Sequence, residues 1–259
     1  MPAEPDKSFD RLRETLLSLD LTTLARELPA VLAHAEGAAP SYSAFLAAAL
    51  EVEAAARFDR KIQRRLRWSR LGPLVDLERF DFSARPQLSP QVVKELLTCR
   101  FVEEHRNVIL VGRSSTGKTT VARAIGHAAC RRLFSVYYGP LAGVLAELRA
   151  ARADGTHAKA LRRVLRPDLL ILEDCGFGEL SRDQTEELFL LTCARSRNRS
   201  TLVVSNLPFR KWGQFIASPA LAVAIADRLI DDATILRFTG QPFRKPRDIF
   251  GAPLEDEEE

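Results

Sequence analysis

The sequence predicts an α/β fold in which a five-stranded parallel sheet carries a phosphate loop and a small all-helical N-terminal domain precedes it. Three observations lead there. From about Ser8 to Arg100 the apolar residues recur at helical spacing, with almost no strand signal. From Asn107 onward, short β-rich runs alternate with helical stretches, the pattern of parallel strands joined by crossover helices. The first of these runs leads directly into "GRSSTGKT", Gly112 to Thr119, a match to G-x-x-x-x-G-K-[ST] in the strand-to-helix context that gives the motif its mechanics.

At 259 residues the chain has room for one large domain, or a core domain with a smaller appendage. The expected division is a helical domain over 1–88, an α/β core over 89–250 and an acidic, disordered tail over 251–259. Neither a signal pattern nor an apolar run near the roughly 20 residues of a membrane span is visible, so a cytoplasmic protein is expected. Cys99, Cys130, Cys175 and Cys193 form no C-x-x-C pair, which reads as buried reduced thiols. His34, His105, His127 and His157 form no ligand cluster, and no metal site of protein ligands alone is expected. The net charge of +4 hides a more basic body, because "EDEEE" at the C-terminus holds five acids and the remainder carries +9. That balance favours polyanionic partners.

In the helical region, breaks are expected at Pro29, at "EGAAPS" before Ser41, at "LGPL" near Pro73 and at "SARPQLSP". Five strands follow: "NVILV" from Asn107, "FSVYY" from Phe134, "LLILE" from Leu169, "TLVVS" from Thr201 and "TILRF" from Thr234. Each connection is long enough for a right-handed crossover. The helix expected from Thr119 to Arg132 puts Val121, Ile125 and Ala128 on one face to cover the sheet.

The loop specifies a ligand class. Between Gly112 and Gly117, backbone N–H groups of Ser114, Ser115 and Thr116 would turn toward a β-phosphate, joined by those of the helix start through Lys118, Thr119 and Thr120. Lys118 would bridge the β- and γ-phosphates and the Thr119 hydroxyl would take a Mg²⁺ position, so ATP and Mg²⁺ are the expected cofactors. Ser115 stands where many such loops carry glycine; a positive φ there would cost about 1 to 2 kcal/mol.

Hydrolysis also needs carboxylates at the end of a neighbouring strand, and "PDLLILEDCG" supplies Glu173 and Asp174. One would hold Mg²⁺ through water and the other would orient the attacking water. Comparable ATPases mostly read Asp then Glu, so this order leaves the roles shared or the turnover slow. Asn206 at the tip of the fourth strand, with Ser205 in reserve, is the candidate γ-phosphate sensor; asparagine before a turn is also ordinary capping chemistry. Arg228, near a helix end ahead of the fifth strand, would serve a neighbouring subunit as an arginine finger, or else pair with Asp227 or Asp231. Arg244 is a weaker candidate for the same anion.

With these residues in hand, the chain resembles the IstB-type ATPases, helper proteins encoded beside the IstA transposase in bacterial insertion sequences. The likeness runs through "SYSAFLAAALEVE", "FDF", "FVEEHRNVILVG", "LLILEDCGFG" and "VVSNLPFRKWGQFIASPALAVAIADRL". Arg113, Ser114 and Ser115, where that family usually has proline and glycine, and the Glu173-Asp174 order depart from it. The resemblance implies an AAA+ core of the initiator and helicase-loader group, similar to the DnaC-like loaders. It further implies ATP-dependent homo-oligomerisation as a ring or spiral on double-stranded DNA, remodelling of that DNA, and recruitment of an IstA-type transposase. Asn206 and Arg228 sit at matching positions.

Duplex contacts are expected on "RFDRKIQRRLRWSR", where seven Lys or Arg residues stand against the single acid Asp59. Phe58, Ile62 and Leu66 would form a buried stripe, leaving Arg57, Arg60, Lys61, Arg64, Arg65 and Arg67 for phosphates, and Trp68 is read as packing. A second basic stretch, "THAKALRRVLR", adds Lys159, Arg162 and Arg163. Neither resembles a base-reading motif, so binding should be backbone-directed and salt-sensitive. Three alternatives stand beside the transposition helper: a DnaC-like helicase loader, a small-molecule kinase, and a DNA-binding module with a defective ATP site.

Overall fold

The structure, a computed structural model, describes residues 7–78 and 80–240; Arg244 and the tail over 251–259 lie outside the described residues. The chain divides into two compact units between Arg64 and Arg65, whereas the sequence places the boundary after residue 88. The physical reason is burial: Leu66, Leu71, Leu77, Phe80, Phe82 and Leu88 all pack into the core of the second unit.

The first unit is built from α1 (Lys7–Ser18), α2 (Thr22–Ala38) and most of α3 (Tyr42–Ser69), the helix in which the division falls. Its core is small: Leu16, Leu24, Ala25, Leu28 and Ala49. The expected break at Pro29 does not occur, and Pro29 lies inside α2. Proline removes one helix bond and crowds the preceding turn, but Leu24 and Leu28 before it and Val31 and Leu32 after it pack into the same core, which holds both halves in line. The breaks do fall at "EGAAPS", where Ala39 caps α2 in the left-handed conformation, and before Pro90, where Ser89 caps the next helix.

Glu53, 2 % exposed, ties this unit together. Its carboxylate accepts from the backbone N–H groups of Thr23 and Leu24 at 2.7 and 3.0 Å and from Arg57 and Arg60 at 3.0 and 2.8 Å. Burial pushes the carboxyl pKa up, but the hydrogen bonds from Leu24, Arg57, Arg60 and Thr23 outweigh it and bring it to about 2.

The second unit begins with α4 (Pro90–Leu97) and α5 (Arg100–Glu103). It continues as β1 (Val108–Gly112), α6 (Lys118–Arg131), β2 (Val136–Pro140), α7 (Leu141–Ala153), α8 (His157–Leu165) and β3 (Leu169–Cys175). After α9 (Arg182–Arg195) come β4 (Ser200–Ser205), a 3₁₀ turn (Phe209–Gln214), α10 (Pro219–Ile230) and β5 (Thr234–Phe238). All five predicted strands are present, β2 starting two residues later than its apolar run. They pair in parallel in the order β2-β3-β4-β1-β5, which places β4 between the loop-bearing strand and the acidic one.

Both faces of the sheet are covered, as parallel strands require. Val108, Leu110, Ile171 and Val204 meet Val121, Ile125 and Ala129 of α6 on one face. Ile109, Leu170, Leu172 and Val203 meet residues of α7, α9 and α10 on the other. Buried Arg195 closes the end of α8, donating to the carbonyls of Val164, Leu165, Pro167 and Ser200. Cys99, Cys130 and Cys175 are buried and Cys193 is half-buried, all as free thiols.

Candidate nucleotide site

The C-terminal ends of β1, β3 and β4 converge on a cavity of about 320 Å³ lined by residues 114–120, Asp174, Phe177, Val204 and Asn206. The loop stands at the mouth of α6, where Gly117 caps the helix with φ 96°. Two further contacts shape it. A Cβ on Gly112 would lie 2.1 Å from the carbonyl oxygen of Phe238 on β5, so only glycine lets these strands close. The buried Arg85 donates from Nε to the Thr116 carbonyl at 2.9 Å, anchoring the loop from outside it. Arg85 carries no motif signature, and only its contact reveals the role.

Ser115 has φ 59°, the strained conformation its position raised in the sequence. Ser115→Gly is expected to stabilise the nucleotide-free protein by about 0.5 to 1 kcal/mol, the relief of left-handed strain exceeding the added freedom of the unfolded chain. Thermal unfolding measures it, and a lowered midpoint would mean that the serine side chain earns its place.

Lys118, 7 % exposed, points its ammonium back into the loop, donating to the carbonyls of Gly112 and Arg113 at 2.6 Å each. Burial lowers its pKa, opposed by the charges of Glu173 and Asp174. Thr119 donates its hydroxyl proton to Glu173 Oε2 at 2.8 Å. Between Leu172 and Cys175 the pairing of β3 with β4 shifts register, and this irregularity separates the two acids. Glu173 stays buried at 4 % exposure, while Asp174, with φ 55°, turns outward to line the cavity.

Glu173 Oε1 and Asn206 Oδ1 are buried without a hydrogen-bond partner among the described residues. Two orphaned acceptors beside a hydroxyl and an ammonium suit a hydrated divalent cation and a polyphosphate. Ser205 is committed elsewhere: its hydroxyl lies 2.6 and 2.8 Å from the Cys175 and Leu207 carbonyls, its one proton shared between them, and accepts from the Leu207 N–H at 3.1 Å. Asn206 is thus the residue of the two that is open to the cavity.

Burial raises the Glu173 pKa to about 7, with Asp174 adding to it and Thr119 and Lys118 opposing. An unfolded glutamate ionises near 4.5, so this group's stabilisation is complete below pH 4.5 and is lost as the pH rises to about 7, at most about 3 kcal/mol. Glu173→Gln is therefore expected to be more stable than the wild type at pH 8, without nucleotide or metal, by roughly 2 kcal/mol, with the gain vanishing toward pH 5. Urea unfolding at both pH values measures it; a gain independent of pH would refute the assignment.

Arg228 does not reach this cavity. It stacks on Phe189 at 5.0 Å and donates to the Ala224 carbonyl at 2.7 Å. Its own carbonyl accepts from Asn107, just before β1, so it sits at the other end of that strand from the loop. No carboxylate among the described residues pairs with it, and Asp231 is bound by Arg197 instead. Phe177, 71 % exposed at the cavity mouth, is a lining residue that the sequence reading missed.

The basic residues fare unequally. Arg57 and Arg60, expected at DNA, are engaged with Glu53, and Arg60 also donates to the Thr23 hydroxyl. Phe58, expected in the buried stripe, is 47 % exposed, and Trp68, expected to pack, is 77 % exposed. Arg65 is half-buried. Lys61, Arg64 and Arg67 stand exposed on α3, as do Lys159 and Arg162 on α8, while Arg163 lies 3.8 Å from Glu147.

A phosphate loop after β1, acids ending β3 and a polar residue ending the intervening β4 define a P-loop protein with an AAA+ core. The chain belongs to the family of IstB-like ATP binding proteins, whose model matches residues 14–249. It is 33% identical over 232 residues to the insertion sequence IS21 ATP-binding protein of Pseudomonas aeruginosa, covering 89% of this chain and 88% of that one. It is 30% identical over 235 residues to the counterpart named for insertion sequence IS5376 in Geobacillus stearothermophilus, covering 91% and 94%. Among solved structures, the DnaC helicase loader shares the fold at a TM-score of 0.51 and 21% identity, over 57% of this chain and 87% of that one. No helix of the described residues is long and apolar enough to cross a membrane.

Proposed function

We propose that the protein is an ATP-hydrolysing transposition helper that assembles with copies of itself on double-stranded DNA, remodels the duplex and recruits or stimulates an IstA-type transposase. The observation that carries this reading is the single cavity where Lys118, Thr119, Asp174 and Asn206 meet, in a chain whose relatives are named for insertion sequences. Lys118 and the loop N–H groups would bind the phosphates of ATP. Thr119 and Glu173 would hold Mg²⁺, Glu173 through water; the ion would neutralise charge on the phosphates. Asp174 orients the attacking water and Asn206 senses the γ-phosphate. Arg228 of one subunit completes the site of the next, so nucleotide binding and assembly are one linked equilibrium. Exposed Lys61, Arg64, Arg67, Lys159 and Arg162 supply contacts to the duplex backbone, whose sum offsets a bending cost of about 1 to 6 kcal/mol. Hydrolysis then releases the assembly.

The test is ATP hydrolysis by the purified protein with and without duplex DNA, beside capture assays against transposase and replicative helicase. Stimulation by duplex with capture of the transposase supports the helper. Capture of the helicase alone would make the chain a DnaC-like loader, and hydrolysis indifferent to DNA would favour a kinase-like role.

A further inference from the structure

We infer that Trp68 is a base-contacting residue, which inserts its indole at a base step of the bound duplex while the neighbouring cations hold the phosphates. This rests on the proposal that the chain binds DNA, and adds to it a contact with the bases.

The geometry of α3 sets the argument. Ile62, Leu66 and Ser69 lie on one side of its last two turns and are half-buried or buried, Leu66 against the sheet core and Ser69 held to the Leu66 carbonyl at 2.7 Å. Lys61, Arg64 and Trp68 follow one another at three- and four-residue spacing on the opposite side, with Arg67 beside them, and all four are exposed. Trp68 is 77 % exposed, although an indole is among the side chains with most to gain from burial. It stands next to Arg67 and one turn from Arg64, neither of which makes an ion pair among the described residues.

An apolar protein surface is a poor match for this patch, since docking it would strip water from unpaired guanidinium groups. A nucleic acid offers both complements at once, an anionic rail for the arginines and flat π-faces just inside it. Aromatic and aliphatic side chains that wedge between base pairs partly unstack them and kink the duplex, and pyrimidine–purine steps yield most easily. Such a wedge would give the remodelling activity a point of action and would add a preference for deformable steps to an otherwise sequence-independent grip.

The two tryptophans of the chain make the test direct. Trp212 is 2 % exposed, packed against Phe209 and Phe215, so it reports the fold while Trp68 reports the surface. Titrating the full chain, at fixed ATP analogue, with a duplex carrying a central TpA step should quench the red-shifted part of the emission; Trp68→Phe should remove that response and leave the Trp212 signal. Trp68→Ala should weaken binding about tenfold without changing the slope of log affinity against log salt, because no phosphate contact is lost. Arg64→Ala should reduce that slope by about one. If wild type and Trp68→Ala bind the duplex equally, the inference fails while DNA binding stands. If the wild type binds no duplex at all, both fail, and capture of an acidic protein through Trp68 would assign the patch to a different partner.

Discussion

Lys118→Ala is expected to lower ATP affinity by at least a hundredfold and to abolish measurable hydrolysis while leaving the chain folded. The ammonium of the buried Lys118 is held inside the loop by the Gly112 and Arg113 carbonyls, so on the proposed reading it is oriented within the loop before a phosphate arrives. A charge-assisted hydrogen bond contributes about 1.5 to 3 kcal/mol, and two phosphate oxygens would each receive one. Losing about 3 kcal/mol corresponds to a factor above one hundred. Calorimetric titration with a non-hydrolysable ATP analogue measures the affinity, and near-UV circular dichroism verifies the fold. Wild-type affinity in this variant would mean that the loop is not the phosphate site, and the functional proposal would be lost with it.

Arg228→Ala is expected to leave ATP binding by the single chain intact and to slow hydrolysis by the assembly about a thousandfold, the scale on which an arginine finger acts. The separation of effects follows from position. Arg228 lies at the end of β1 remote from its own loop, resting on Phe189 with no carboxylate partner among the described residues. On the proposed reading it leaves Phe189 and the Ala224 carbonyl, but no ion pair, to act on another copy's phosphates. Mixing supplies the decisive control: Lys118→Ala has an intact arginine and a ruined loop, Arg228→Ala the reverse, so mixed assemblies should regain activity that neither has alone. If Arg228→Ala hydrolyses ATP at the wild-type rate, the finger is elsewhere.

The parts of this protein that were legible in its sequence are those governed by local pattern. The strand around Ile109, the glycine-flanked loop, the helix carrying Val121 and Ile125, and the apolar run ending in Glu173 each announce themselves through spacing. The left-handed Ser115 was legible too, because the loop's backbone demands it whatever residue stands there. Charge density was less informative. Seven cations in fourteen residues look like one DNA-facing surface, yet Arg57 and Arg60 turn to Glu53, four and seven residues before them in the chain but buried against Thr23 and Leu24.

By itself, then, the sequence determined the sheet and the place of the loop between β1 and α6, since backbone periodicity and a fixed motif spacing act over a few residues. Tertiary structure alone decided that Glu173 is buried and Asp174 open, that Arg85 braces Thr116, that Leu66, Leu71, Leu77, Phe80, Phe82 and Leu88 join the core of the sheet-bearing unit and that Trp68 is left bare. Each of these depends on which distant surfaces meet, and burial, register and ion pairing across such distances are set by the packed whole.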